Sequence, residues 1–128
     1  MQAVTIHEHG GPKKVRIEEL PDPRPKDFEI VIEVKAAALN RLDIWVRKGR
    51  PGQEIKEPRV LGSDAAGVVA AVGPGVKNIK VGSEVIIDPG LSCGVCESCL
   101  RGEQSECISY GILGLTKNGT FAEYALVP

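Results

Sequence analysis

The sequence predicts a mostly β domain: a partly open β-barrel with one short helix and an inserted cysteine lobe. Short segments in which apolar and polar residues alternate recur along the chain and are separated by turn residues, a pattern typical of strands. Glycine and proline account for 15 and 9 of the 128 residues and show no Gly-X-Y period, which favours many turns. All four cysteines lie within residues 93–107. We therefore expect one domain over residues 1–128, with the lobe at about residues 90–108.

Three strands are predicted in the first part of the chain, at residues 2–7, 14–20 and 28–34. In the second segment, Val15 and Ile17 are predicted to point inward. The prolines between the second and third segments predict a stiff, extended connector. The third segment alternates most clearly and places one apolar set on a single face, namely Phe28, Ile30, Ile32 and Val34.

Residues 40–48 change to helical spacing, because Leu42, Trp45 and Val46 stand at i, i+3 and i+4. Asn40 is a suitable N-cap, and Gly49 is suited to end the helix. Further short strands are predicted within residues 60–72 and 76–87, and the alternating residues 121–127 predict a last strand.

Charge and hydropathy exclude several classes of protein. The chain has 16 basic and 17 acidic residues without a basic stripe, so we expect no nucleic-acid partner. The N-terminal residues do not resemble a secretory signal. The longest apolar stretch, residues 67–73, is far shorter than the roughly 20 residues that cross a bilayer, so we expect no membrane partner. A cytoplasmic location follows as the default, and there cysteines serve as metal ligands more often than as disulfides.

The spacing of the cysteines predicts one structural zinc ion. Cys93, Cys96 and Cys99 are separated by two residues each, and Cys107 follows after seven more. Zinc prefers a tetrahedron of thiolates, and four cysteines leave no open position for water or substrate. Another metal such as iron, or disulfides, remain alternatives. The gap of seven residues and Ile108 after the last cysteine do not fit the bacterial ferredoxin pattern.

The lobe with its flanks, PGLSCGVCESCLRGEQSEC, resembles the structural zinc lobe of medium-chain dehydrogenases. Other segments resemble that family in the same order: VIEVKAAALNRLDIWVRKG, VLGSDAAGVVAAVGPGV with VGSEV, and GTFAEYALVP. The resemblance covers essentially the whole chain. It implies a GroES-like fold and the catalytic domain of a zinc-type alcohol dehydrogenase or a quinone oxidoreductase.

Two departures from that family qualify the expected chemistry. Asn40 stands where zinc alcohol dehydrogenases have a cysteine, and Ser63 stands where they have the histidine of Gly-His-Glu. Leu42 occupies the proton-relay position. Neither Asn nor Ser brings a thiolate or an imidazole, so the resemblance implies structural zinc without catalytic zinc. The chain also has no G-x-G-x-x-G, so we expect NAD(P)H to bind only in an intact protein whose nucleotide domain is absent from this chain.

The candidate catalytic residues are Asn40, Asp43, Ser63 and Asp64, and Trp45 is a candidate substrate-binding residue. Each also has a structural interpretation. Asn40 with Asp43 fits a capping box, and Asp43 with Arg47 fits an i, i+4 ion pair. Ser63 and Asp64 fit a polar turn, and Trp45 fits a core position.

We expect the intact protein to act on a small carbonyl, alcohol or quinone substrate and to form a homo-oligomer. An alcohol dehydrogenase with a relocated zinc ligand, Asp43 or Asp64, is one alternative. A free-standing, zinc-stapled binding or chaperonin-like module without enzyme activity is another.

Overall fold

The computed structural model describes residues 1–52, 54–55 and 58–128. Strands predominate, with two α-helices and two short 3-10 helices in the described residues. In chain order the elements are β1 (Gln2–Ile6), a 3-10 turn (Pro12–Lys14), β2 (Val15–Glu19), β3 (Ile30–Ala38), α1 (Arg41–Lys48), β4 (Arg59–Val60), β5 (Asp64–Val72), β6 (Glu84–Ile86), β7 (Gly90–Leu91), α2 (Glu97–Leu100), a 3-10 turn (Gln104–Glu106), β8 (Gly111–Ile112) and β9 (Tyr124–Val127). No helix of the described part is long and apolar enough to cross a membrane.

The described strands form three antiparallel sheets, with orders β2-β1-β4, β6-β5-β3-β9 and β7-β8. The first two sheets meet through a bridge between Ala3 and Ala122 and through the Val4 N–H, which donates to the Phe121 carbonyl at 2.7 Å. The sheets are open and do not close into a complete barrel. The predicted mostly β class is confirmed, and so is the helix at residues 41–48. The helical turn α2 inside the lobe was not predicted.

Strand β3 departs from the predicted alternation. It begins at Ile30, so Phe28 lies before it and is 73% exposed. Val31 and Ile32 are both buried, because the pairing with β5 shifts register between them. A bulge of this kind breaks the two-residue period, and β3 is also covered by neighbours on both sides.

The prediction that Ile17 points inward is wrong, since its side chain is 74% exposed. It lies on β2, an edge strand of the first sheet. Glu18 turns toward the sheet instead, where its carboxylate accepts a hydrogen bond from the buried Thr5 hydroxyl at 2.7 Å and contacts His7 at 2.8 Å. Val15, by contrast, packs against the core residues Ile6, Val46 and Leu61, so the inward prediction is confirmed for Val15 and wrong for Ile17.

Two apolar clusters hold the sheets and the helix together. The larger one joins the second sheet to the segment before β9 and consists of buried Ile32, Ala65, Ile87, Leu113 and Ala125. The smaller one consists of Ile6 from β1, Val46 from α1 and Leu61 after β4. Because Val46 belongs to the smaller cluster, α1 is fixed against the first sheet.

The segment after β1 holds the C-terminal end of α1. The Gly10 N–H donates to the Arg47 carbonyl at 2.8 Å, and His9 Nδ1 lies 2.8 Å from the Val46 carbonyl. A carbonyl can only accept, so Nδ1 carries the proton in this contact. The Arg47 guanidinium donates to the Gly10 carbonyl. The predicted Asp43–Arg47 ion pair does not form, because Arg47 has this partner instead.

Candidate metal centre and active-site cleft

The four cysteines converge on one point. The Sγ atoms of Cys93, Cys96, Cys99 and Cys107 all lie within 4.8 Å of one another, and all four cysteines are free thiols. Cys93 Sγ and Cys99 Sγ are 4.0 Å apart, close to the roughly 3.8 Å edge of a tetrahedron with Zn–S bonds near 2.3 Å. A disulfide would bring two of these atoms to about 2.05 Å. The arrangement therefore fits a single tetrahedral metal ion.

Local backbone geometry directs the four sulfur atoms toward one point. Gly94 has φ of 72°, which lets the chain turn between the first two cysteines. Cys96 is the N-cap of α2, and Cys99 lies within that helix. Backbone N–H groups donate to the sulfurs: Cys96 to Cys93 Sγ at 3.3 Å, and Cys93 to Cys107 Sγ at 3.3 Å. N–H donors of this kind stabilise thiolates, which are the form that binds metal.

The thiols differ in acidity within the metal-free lobe. The Ser109 hydroxyl, with backbone N–H groups of Cys93 and Ser109, lowers the pKa of Cys107 to about 6. Burial raises the pKa of Cys99 to about 11. A divalent metal bound at this point would favour the thiolate form of the cysteines around it.

A second polar group lies at the start of α1. The Asn40 N–H donates to Asp43 Oδ2 at 2.7 Å, as in a capping box. The Asn40 side-chain amide donates to Asp64 Oδ2 at 2.7 Å, which connects the helix to the start of β5. Asn40, Asp43 and Asp64, three of the four predicted catalytic residues, thus lie together. Asp43 is buried, with 8% of its surface exposed.

Ser63 does not join this group. Its side chain is buried, and its hydroxyl donates to the Leu113 carbonyl at 2.8 Å. This contact joins the residue before β5 to the segment after β8, so Ser63 bonds a distant carbonyl and not the local backbone that the turn interpretation predicted. Asp64, by contrast, is half-buried and bonded to Asn40.

Trp45 lines an open cleft of about 1260 Å³ beside the C-terminal end of α1. Its side chain is 61% exposed, so its interpretation as a core residue is wrong. Of the predicted helix face, Val46 enters the core and Leu42 packs beside it, while Trp45 turns toward the cleft. The Asn40–Asp64 pair is not part of the cleft lining.

Several described cleft residues were missed by the sequence interpretation. They come from the segment before β2, the loop after α1, β4 and the segment after β8, and they include His9, Arg50, Ile55, Arg59 and Leu115. The loop after α1 has no periodic pattern, so only its Pro51-Gly52 turn could have marked it as a surface element.

Comparisons with known proteins show which family the chain resembles. Residues 26–128 match the family model described as the alcohol dehydrogenase GroES-like domain. An alcohol dehydrogenase of Schizosaccharomyces pombe is 34% identical over 125 residues, which is 97% of this chain and 36% of that protein.

Solved structures of alcohol dehydrogenases also match the chain over its whole length. An NAD-dependent alcohol dehydrogenase superposes with a TM-score of 0.93 at 51% identity, covering 100% of this chain and 37% of that one. A cobalt- and zinc-bound thermostable alcohol dehydrogenase from Pyrobaculum aerophilum gives 0.90 at 36% identity, covering 100% and 39%. The chain spans about a third of the length of the relatives it matches.

Proposed function

This chain belongs to the alcohol dehydrogenase GroES-like domain family, and from that premise we propose that it is the substrate-binding catalytic domain of a larger NAD(P)-dependent oxidoreductase. The intact protein would interconvert an alcohol and a carbonyl compound, or reduce a quinone or an enone. The observation that carries this proposal is the Asn40–Asp64 contact, which lies at the start of α1 where the resemblance puts the catalytic centre.

The reaction needs a hydride and a proton. When bound, the reduced dinucleotide supplies the hydride to the carbonyl carbon, and the oxygen takes a proton as the alcohol forms. The chain contains no G-x-G-x-x-G, so its residues do not supply the family's dinucleotide site. Their contribution is to bind and orient the substrate.

Asn40 is suited to polarise the substrate oxygen. One N–H of its amide is used by Asp64, and a primary amide has a second N–H to donate. A neutral donor held at the end of a packed helix is already oriented before substrate binds, which is how a preorganised donor stabilises a developing oxyanion. Asp64 fixes the direction of that amide.

We assign one structural zinc ion to Cys93, Cys96, Cys99 and Cys107, and none to the catalytic position. The Ser63 hydroxyl is already used by the Leu113 carbonyl. The relocated-ligand alternative is disfavoured as well, since among the described residues the four cysteines form the one cluster of three or more His, Cys, Asp or Glu ligands, and it includes neither Asp43 nor Asp64. Elemental analysis of the full-length protein should therefore find one zinc ion per chain, and two would support the relocated-ligand alternative.

Substitution of Asn40 tests the catalytic assignment in the full-length protein. Asn40→Ser keeps an N-cap side chain but removes the amide, so kcat should fall by about 10²-fold, as for other lost oxyanion donors, with little loss of stability. Leu39→Ala is a matched control at an exposed neighbour. Unchanged kcat in Asn40→Ser would contradict the assignment.

Residues 1–128 alone should show neither dehydrogenase activity nor saturable binding of NADPH, because the dinucleotide fingerprint is missing. Calorimetry with the isolated chain tests this expectation. Saturable binding at micromolar NADPH would contradict it.

A further inference from the structure

Positive charge is concentrated at the cleft beside α1. Lys48, Arg50 and Arg59 line it, and Glu54 is the one acidic residue in its described lining. No carboxylate of the described residues lies within 4.0 Å of these three cations; the described ion pairs involve the N-terminus, His7, Lys14, Lys35 and Arg101. The whole chain has a net charge of -1, so this excess is local.

The rest of the described lining is largely apolar. Leu42, Trp45, Val46, Ile55 and Leu115 form its wall. The volume of about 1260 Å³ is ample for a small molecule, since ligand sites are commonly about 300–1,000 Å³. A low-dielectric wall next to these cations strengthens the attraction for an anion in the cleft.

One of the cations is already oriented. Arg59 Nη1 donates to the Leu115 carbonyl at 3.1 Å, and Arg59 is half-buried on β4. Its remaining N–H groups keep the planar geometry that matches a carboxylate or a phosphate. Lys48 and Arg50 are both exposed and add charge to the lining of the cleft.

We propose that this cleft binds a small molecule through a carboxylate or phosphate group, held by Lys48, Arg50 and Arg59 with the apolar part of the ligand against Trp45. The proposal rests on the function proposed above, because it takes the ligand to be the substrate or the dinucleotide of that reaction. It adds the chemical class of the group that the cleft recognises.

The test compares 4-formylbenzoate with its uncharged methyl ester as aldehyde substrates of the full-length protein. In the double variant K48Q/R50Q, the ratio of kcat/KM for the acid to that for the ester should fall by about tenfold, as expected when hydrogen bonds to a charged group are lost. The matched control K77Q/K80Q removes the same charge from two lysines in the turn between β5 and β6, outside the cleft lining, and should keep the ratio.

A second arm distinguishes the source of the anion. A rise of about tenfold in the KM for NADPH in K48Q/R50Q, with an unchanged acid-to-ester ratio, would support the proposal and assign the anion to the dinucleotide phosphates. If neither quantity differs from its value in K77Q/K80Q, the proposal is overturned.

A binding measurement separates this proposal from the proposed function. If the full-length protein reduces no aldehyde, the proposed function fails, and 4-formylbenzoate and NADPH are then each titrated by calorimetry. Saturable binding of either one that is retained in K77Q/K80Q and weakened in K48Q/R50Q supports an anion-binding cleft. If neither binds more weakly to K48Q/R50Q than to K77Q/K80Q, the proposal is overturned.

Discussion

The strand framework and the cysteine lobe are built by different means. In the framework, buried apolar side chains from several strands meet in two clusters. Between residues 92 and 110, all of which the structure describes, the only buried hydrophobic side chains are those of Cys99 and Cys107, while Val95, Leu100 and Ile108 are exposed. Burial of apolar surface stabilises the framework, at about 25 cal/mol per Å². The lobe lacks that contribution, so we expect a metal–thiolate cluster to stabilise it instead.

From this difference we expect the two regions to behave as separate cooperative units, of which only the lobe depends on metal. Hydrogen bonds between residues of the lobe and two short helical turns shape it. Isolated helical turns of this length are only marginally stable in water. The two apolar clusters account for the packing of the framework without a ligand. This difference between the two regions can be tested by substitution, by acid and by dilution of the isolated chain.

Replacing a framework core residue should have the largest effect on global stability. Ile6 is fully buried in the smaller cluster, so Ile6→Ala should lower the free energy of unfolding by about 2–5 kcal/mol. Ile17→Ala is the matched control on the paired strand, where the side chain is exposed, and should change it by less than about 0.5 kcal/mol. Urea denaturation measures both, and equal losses would contradict the assigned core.

Removing one ligand should affect the lobe alone. Cys99→Ser should abolish zinc binding and increase hydrogen exchange in residues 90–108, because thiolate ligation supplies the folding energy of that segment. Residues of β3 and β5 should keep their protection, since their pairing lies outside the lobe. Mass-spectrometric exchange with elemental analysis measures both. Equal loss of protection in β3 would show that the two regions form one unit.

Acid should release the metal before it unfolds the framework, because protons compete for the thiolates. Folding lowers the Cys107 pKa from 9.0 to about 6, so in the metal-free lobe this thiolate contributes stability above about pH 9 that is lost as the pH falls through 6. Ser109→Ala removes the hydroxyl that contributes most to this lowering, so it should raise the Cys107 pKa. Protons then compete more strongly for the ligand, and zinc binding at pH 6 should weaken by up to about tenfold.

A chromogenic chelator measures that zinc affinity. The control is Ser105→Ala, an exposed serine of the same lobe. Equal zinc affinity in the two variants would show that Ser109 does not tune the site.

The smallest effect concerns association of the isolated chain. Strand β6 is an edge of the second sheet, and its Ile86 is exposed. Exposed strand edges pair with other chains, so we expect self-association at about 100 μM, well above typical specific dissociation constants. Ile86→Lys should weaken it by placing a charge on the edge. A strict monomer in sedimentation at that concentration would contradict the expectation.

Local sequence was sufficient for features that depend on neighbours along the chain. The cysteine spacing predicted the convergence of four sulfurs, because a cluster within fifteen positions is arranged mainly by its own turns. The capping residues predicted α1, since Asn40, Asp43 and Gly49 act within one helix. The succession of motifs also identified the family that the comparisons confirmed.

Features that depend on distant partners were decided only by the tertiary structure. Trp45 shares the helical spacing of Val46, yet one faces the cleft and the other the core, because β1 and Leu61 cover only part of the helix face. Ile17 follows the strand period of Val15, yet Val15 packs against the core and Ile17 stays exposed. Periodicity specifies which residues share a face, whereas long-range packing and hydrogen bonding decide which face is covered.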